Sequence, residues 1–177
     1  AYFDIPAWKG AGVAVPIFSL KSEKSFGVGD FGDLKRMIDW AVSTDQKVVQ
    51  ILPINDTTMT HTWTDSYPYS SISIYAFHPM YADLKQMGTL KDKEKMAEFS
   101  YLRDAYKTPN FREWPKFSEY KAEEIEKLCQ PKSADYPHIA IYFFIQFHLH
   151  LQLLAATEHA RANGVVLKGD IPIGISR

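Results

Sequence analysis

Cysteine is almost missing: Cys129 is the one example in 177 residues. That excludes an internal disulfide framework and fits a reducing compartment. A dominant charge is missing too. Lys and Arg number 20, Asp and Glu 21, and the net charge is -1. A nucleic-acid binder would carry a basic stripe, so none is expected as a partner. Long hydrophobic runs are also absent. Ile139 to Phe147 is broken by Gln146 and followed by His148 and His150, too short and too polar to span a bilayer. No apolar leader with a cleavage site is visible, and there is no internal repeat or low-complexity segment. What is present is a hydrophobic fraction of 46% beside a charged fraction of 23%, which predicts a globular chain with a real core.

Taken in order, the chain alternates buried strands and helices. Val13 to Ile17 is short and apolar, as a fully buried parallel strand is. The polar, glycine-containing loop Ser19 to Gly32 follows. A helix is expected over 33–44, with Leu34, Met37, Ile38 and Ala41 at helical spacing and Asp30 or Gly32 near its N-cap. The second strand, 47–52, completes a βαβ unit with a right-handed crossover. Residues 55–90 form a long connection of little regular pattern. Connections of that size inside a domain are unusual and often functional. Helices are expected over 92–106 and 117–129, within a helical insertion near 92–130. A long helix over 138–163 is apolar on most of its circumference over 139–156, which predicts burial on more than one side. The third strand, 165–171, has its polar residue at Asp170. The expected fold is α/β, one unit over 1–177: about the first three parallel strands of a TIM (β/α)8 barrel with helical crossovers. A closed barrel takes ~250 residues.

Two regions invite a functional reading. In the loop 63–79, Trp63, Tyr67 and Tyr69 could stack on sugar rings while Asp65 and Ser66 bond hydroxyls. The same aromatics could equally fill a small core belonging to the loop itself. Position after a strand's C-terminus favours the first use in a barrel. Asp170 stands at the site-bearing end of a parallel strand. It could shape a site there, or bond the amides of the following turn, or pair with a buried Arg.

Other motifs carry less. Phe26 to Gly32, FGVGDFG, lacks the lysine and spacing of a phosphate loop, and Asp30 would repel phosphate. Its glycines are expected to serve turns with positive φ. His148 and His150 are two residues apart on one helix and cannot share a metal as an i, i+4 pair could. His61 and His78 lack the spacing of a zinc site. The run Glu119 to Lys127 reads as a solvated helix face, and Cys129 as packing.

Four blocks together carry a resemblance: GVAVPIFSLKSEKSFGVGDFGDL (12–34), KVVQILPINDTT (47–58), TWTDSYPYSSISIYAFHPMY (62–81) and GVVLKGDIPIGISR (164–177). In this order they resemble the N-terminal part of the 4-alpha-glucanotransferase (amylomaltase) family, and most of all its disproportionating-enzyme subgroup, which in plants handles cytosolic maltose. The resemblance implies a retaining transferase on a TIM-type barrel that moves alpha-1,4-glucan segments between maltooligosaccharides and other acceptors through a covalent glucosyl-aspartate, with a glutamate as acid and base. It implies alpha-1,4-glucans as partners, a cytoplasmic location and no cofactor or metal. The family's catalytic carboxylates come from later blocks, so no catalytic residue is expected here and the fragment itself is expected to be inactive. Tyr69 and Pro68 match the family's Ser-Pro-Tyr loop, with Tyr67 in place of the serine. Asp65 matches an acidic residue before that loop, and Asp170 the aspartate that helps shape the glucose site. The alternative is a non-catalytic alpha-glucan-binding module. Self-association across an open third-strand edge is also expected.

Overall fold

The computed structural model describes residues 8–88, 106–107, 111–116, 119 and 121–173. Strands β1 (Gly12–Ala14), β2 (Val48–Gln50), β3 (Asn55–Asp56), β4 (Ser73–Phe77) and β5 (Val166–Lys168) alternate with helices α1 (Phe31–Ser43), α2 (Ala122–Leu128) and α3 (Tyr136–Ala162). β1, β2 and β5 form one parallel sheet in that spatial order, and β3 pairs antiparallel with β4. Register is direct: Val13 lies beside Val49, and Val49 beside Leu167. β2 is therefore central, with β1 and β5 at the two edges.

All three expected strands are present but shorter. Pairing in β1 stops before Pro16, although the Val15 amide still donates to the Gln50 carbonyl at 2.8 Å. The chain then turns through a 3-10 segment, Ile17–Ser19. β2 ends ahead of Pro53, and β5 ahead of Gly169 and Pro172. Proline has no amide proton to donate, so Pro16 and Pro53 cannot continue a ladder.

α1 starts two residues earlier than its periodicity suggests, because Asp30 is the N-cap. Its side chain accepts from the Asp33 amide at 2.9 Å, and the Asp33 carboxylate accepts from the Asp30 amide at 3.3 Å. This is a reciprocal capping box. Leu34, Ile38 and Ala41 fall at i, i+4 and i+7 and are wholly buried against the sheet and α3. Burial of each large side chain contributes about 1.5–3 kcal/mol. Phe31 stacks on Tyr81, with centroids 5.8 Å apart, and meets Phe77 edge-on. The glycines of the loop divide their roles. Gly27 has the expected positive φ of +88°. Gly29 instead passes so close to the Ile17 carbonyl and Leu20 that a Cβ would not fit.

α3 has the 27 residues and the composition that would cross a membrane. Its packing identifies it as the crossover between β2 and β5: Leu149, Ala156 and Ala160 are buried in the common core, and Gln146 and Gln152 bond the segment after β3. Asp39 of α1 pairs with His159 of α3 at 2.5 Å. Asn163 ends the helix, and Gly164 turns out of it with φ of +69°. Burial on more than one side does not hold along its length. Phe143, Phe147, Leu151 and Leu154 are exposed. Their spacing of four, four and three residues makes one stripe. Of the expected insertion, the helix over 117–129 is observed as Ala122–Leu128, and the one over 92–106 lies almost wholly outside the described residues.

Candidate functional site

The C-terminal ends of β1, β2 and β5 lead into three segments on one edge of the sheet: 15–30, 51–79 and 169–173. The middle segment is more ordered than its sequence suggests. β3 and β4 make a short ladder with a bulge between Asn55 and Asp56. A two-residue strand broken by a bulge has no readable alternation, so the pattern did not announce it. The Asn55 side chain donates to the Ile74 carbonyl at 2.9 Å. Buried Asp56 accepts from the amide and hydroxyl of Thr58, closing a local turn.

From there the loop carries its candidates to different places. Tyr69 and Asp170, 101 residues apart, are brought together: the Tyr69 hydroxyl donates to Asp170 Oδ2 at 2.7 Å. The other oxygen, Oδ1, accepts from the Ile171 amide at 2.9 Å. Of the uses open to Asp170, bonding the next turn is observed, together with a bond to the aromatic loop. The bond to Asp170 is the chief cause that raises the Tyr69 pKa, since it stabilises the protonated phenol. The Tyr67 ring lies 5.6 Å from that of Tyr69 and is itself exposed.

Asp65 points the other way. Its Oδ2 accepts from the amides of Thr60 and His61 at 2.8 and 2.7 Å, and Oδ1 from the Thr60 hydroxyl at 2.9 Å. Burial pushes its pKa up, but these bonds outweigh that and hold it below the ordinary range. In this arrangement the carboxylate organises the loop, which includes His61 at a φ of +56°. Ser66 ends the 3-10 turn Trp63–Ser66 and is exposed, as is Trp63 at 84%. Pattern reading passed over the hydroxyl cluster beside it. Thr60, Thr62 and Thr64 bond one another at 2.7–3.0 Å, and Thr57 donates to the Asp65 carbonyl at 2.6 Å. The signal was there, as threonine at every second position in TMTHTWT.

His78 closes the segment. Its Nδ1 accepts from the Met80 amide at 3.1 Å, which requires the neutral ring, and burial lowers its pKa accordingly. Among the described residues, no three His, Cys, Asp or Glu side chains converge as metal ligands.

The arrangement is a wall of exposed rings and hydroxyls, latched by Tyr69 and Asp170 to the neighbouring strand end. The 4-alpha-glucanotransferase family model matches residues 15–98 and 90–177. The chain belongs to the 4-alpha-glucanotransferase family. The rice (Oryza sativa subsp. japonica) 4-alpha-glucanotransferase DPE2 is 35% identical over 96% of this chain, which corresponds to 24% of the rice protein. The enzyme of Chlamydia trachomatis serovar D is 29% identical over 94% of the chain and 41% of its own length. The solved amylomaltase of Streptococcus agalactiae, in complex with acarbose, superposes with a TM-score of 0.69 at 20% identity, covering 95% of this chain and 44% of that one. The fold is therefore part of an α/β barrel of this family, and the chain spans a quarter to under a half of these relatives' lengths.

Proposed function

We propose that this chain supplies one wall of the donor and acceptor subsites of a retaining 4-alpha-glucanotransferase acting on alpha-1,4-glucans and maltooligosaccharides in the cytoplasm. The observation that carries this is the Tyr69–Asp170 hydrogen bond. It joins the aromatic loop after β2 to the end of β5, on the edge where barrel enzymes bind substrate. Exposed Tyr67 and Trp63 present the flat faces that stack on pyranose rings, and the threonine cluster offers hydroxyls for the sugar rim. In a retaining mechanism two carboxylates stand about 5–5.5 Å apart. No such pair is assigned here. Asp65 is engaged with its own loop and Asp170 with Tyr69 and Ile171. The chain therefore binds and orients glucan, and residues elsewhere in the enzyme cleave it.

Titration calorimetry with maltoheptaose tests this, together with glucose release from maltotriose. Binding that weakens in Tyr69→Phe, with no glucose released, is expected. Turnover by the purified chain would refute the division of labour, and absence of any binding would refute the wall. The exposed rings of the loop also favour a second reading, in which the chain is a non-catalytic glucan-binding module. Tight binding that survives loss of the Tyr69 hydroxyl would favour it.

The edge of β5 and the stripe on α3 add a proposal about assembly. Val166, Ile171 and Ile173 are exposed, as are Phe143, Phe147, Leu151 and Leu154. Among the described residues the outer edge of β5 has no partner strand, and such an edge beside apolar side chains favours self-association of the chain.

A further inference from the structure

Gln146 and Gln152 sit in the most apolar stretch of α3, where glutamine has no obvious use, and each makes the same unusual contact. Gln146 Oε1 accepts from the Phe77 amide at 2.8 Å while its Nε2 donates to the Phe77 carbonyl at 2.8 Å. Gln152 repeats this on Asp83, at 2.8 and 3.1 Å. A side-chain amide has one donor edge and one acceptor edge, as a peptide does. Each glutamine thus stands in for one residue of a neighbouring strand. The six-residue step is matched on both sides: 146 to 152 on the helix, 77 to 83 on the segment.

Two pinned points fix a segment's position and direction, where one would leave it free to swing. Between them the His78 amide donates to the Ile54 carbonyl at 2.9 Å, and beyond it the chain leaves the sheet through the 3-10 turn Pro79–Tyr81. Phe77 is the last residue of β4, opposite Asn55 of β3. Asp83 caps the next turn by accepting from the Lys85 amide and from Gln86 Nε2, and lies against Gly32 at the start of α1. β4 in turn leads back to Tyr69 through Ile72, whose amide donates to the Asp56 carbonyl at 2.8 Å.

We propose that Gln146 and Gln152 are positioning residues that hold the aromatic loop in the register that lets Tyr69 meet Asp170. This rests on the reading of residues 55–79 as a glucan-facing wall. The glutamines touch no substrate. They act through the backbone of Phe77 and Asp83.

The test uses the whole 177-residue chain with ¹³C-labelled tyrosine rings. The Tyr69 signal is assigned with Tyr69→Phe, and its unlatched position is defined by Asp170→Asn. Gln146→Glu and Gln152→Glu keep the acceptor, remove the donor and place a carboxylate against a carbonyl. In each, the Tyr69 signal should move toward its position in Asp170→Asn, and affinity for maltoheptaose should fall at least tenfold. A Tyr69 signal unmoved in both folded variants would overturn the proposal. Should the variants not fold, amide exchange in the wild-type chain decides. The Phe77 and Asp83 amides should exchange roughly 100-fold or more slowly than unprotected amides, and exchange at the unprotected rate would overturn the proposal equally. A wild-type chain that binds no maltoheptaose would sink the glucan reading alone, because the tyrosine signal and the exchange rates still judge the clamp.

Discussion

Asp30 and Asp33 begin α1 with opposite electrostatics, and replacing each by asparagine separates them. Asp33 is buried and fully engaged. Its Oδ1 accepts from the Ser22 hydroxyl at 2.6 Å and Arg36 Nη1 at 2.8 Å, its Oδ2 from the Ser25 hydroxyl at 2.7 Å and the Asp30 amide at 3.3 Å. Burial pushes its pKa up, but these donors outweigh that and hold it below the ordinary carboxylate value. In Asp33→Asn one oxygen becomes a donor. Seated at the Oδ1 position it strands no buried group, because the serine can turn to accept and Arg36 is 37% exposed. What is lost is acceptor charge. A bond to a charged partner contributes about 1 kcal/mol more than a neutral one; the two serine bonds lose that difference and the exposed Arg36 pair counts little, so the cost is about 2 kcal/mol. In a chain of this size that lowers Tm by about 4–8 °C.

Asp30 differs. Burial first, then the charges of Asp33 and Asp83, raise its pKa against the amides that bond it. Asp30→Asn keeps the N-cap acceptor and removes the charge, so Tm at pH 7 should hold or rise. The pH signs follow. Stability from Asp33 is complete above its unfolded pKa of about 3.9 and is lost as pH falls through the lower folded value, so the Asp33→Asn deficit should shrink below about pH 4. Any gain in Asp30→Asn is present above Asp30's raised folded pKa and disappears as pH falls through it. Thermal melts followed by circular dichroism at pH 7 and pH 3 read both. Equal losses from the two substitutions at pH 7, or an Asp33→Asn deficit unchanged at pH 3, would refute the reasoning.

Asp65→Ala frees the amides of Thr60 and His61 to water, at a local cost of about 1 kcal/mol. Limited proteolysis should then cut faster within 58–66, and unaltered cleavage would show that the carboxylate does not order the loop. His78 must be neutral to accept from Met80, and its folded pKa is lowered. Its stabilisation is complete above the unfolded value of about 6.5 and declines as pH falls below it toward the folded pKa. His78→Asn should flatten Tm between pH 7 and pH 5, and a slope identical to wild type would argue against it. Sedimentation velocity should show concentration-dependent association that Phe147→Glu with Leu151→Glu reduces, and a wild-type monomer at high concentration would dispose of that interface.

Strand and helix identity was legible because the apolar periods are clean. Val48 and Val49 in a continuous run, and Leu34, Ile38 and Ala41 at helical spacing, leave little choice. Strand ends were less legible, since a run of apolar residues gives no sign of where pairing stops; Pro16 and Pro53 bound the first two strands, and β5 ends ahead of Gly169. In the site, Tyr69 and Asp170 could each be nominated, but their contact is tertiary and follows from β2 and β5 being neighbours. For Asp65 the residue type suggested a role toward ligand, whereas its geometry is that of a loop organiser. An aspartate four or five residues after a turn has the same sequence signature in either role. The glutamine pair was hidden for a similar reason: inside an apolar helix a polar residue marks a partner without naming it.

The strand order settles which loops can cooperate. Neighbouring strands lie about 4.8 Å apart, so their C-terminal loops must touch, while those of next-neighbours are separated by the loop between. With the order β1, β2, β5, the loop after β2 stands between the glycine loop and Asp170. Its two ends accordingly face different ways. Tyr69 reaches Asp170, and the 79–85 portion meets the glycine loop, where Lys85 Nζ donates to the Lys24 carbonyl at 3.2 Å. Phe26, Asp30, Pro79 and Leu84 line a space of about 180 Å³ there. Asp30 is taken up by the Asp33 amide, whereas Asp170 bonds Tyr69 and the Ile171 amide. The carboxylate that joins the aromatic loop is the one at β5, and the one at β1 is committed to starting a helix.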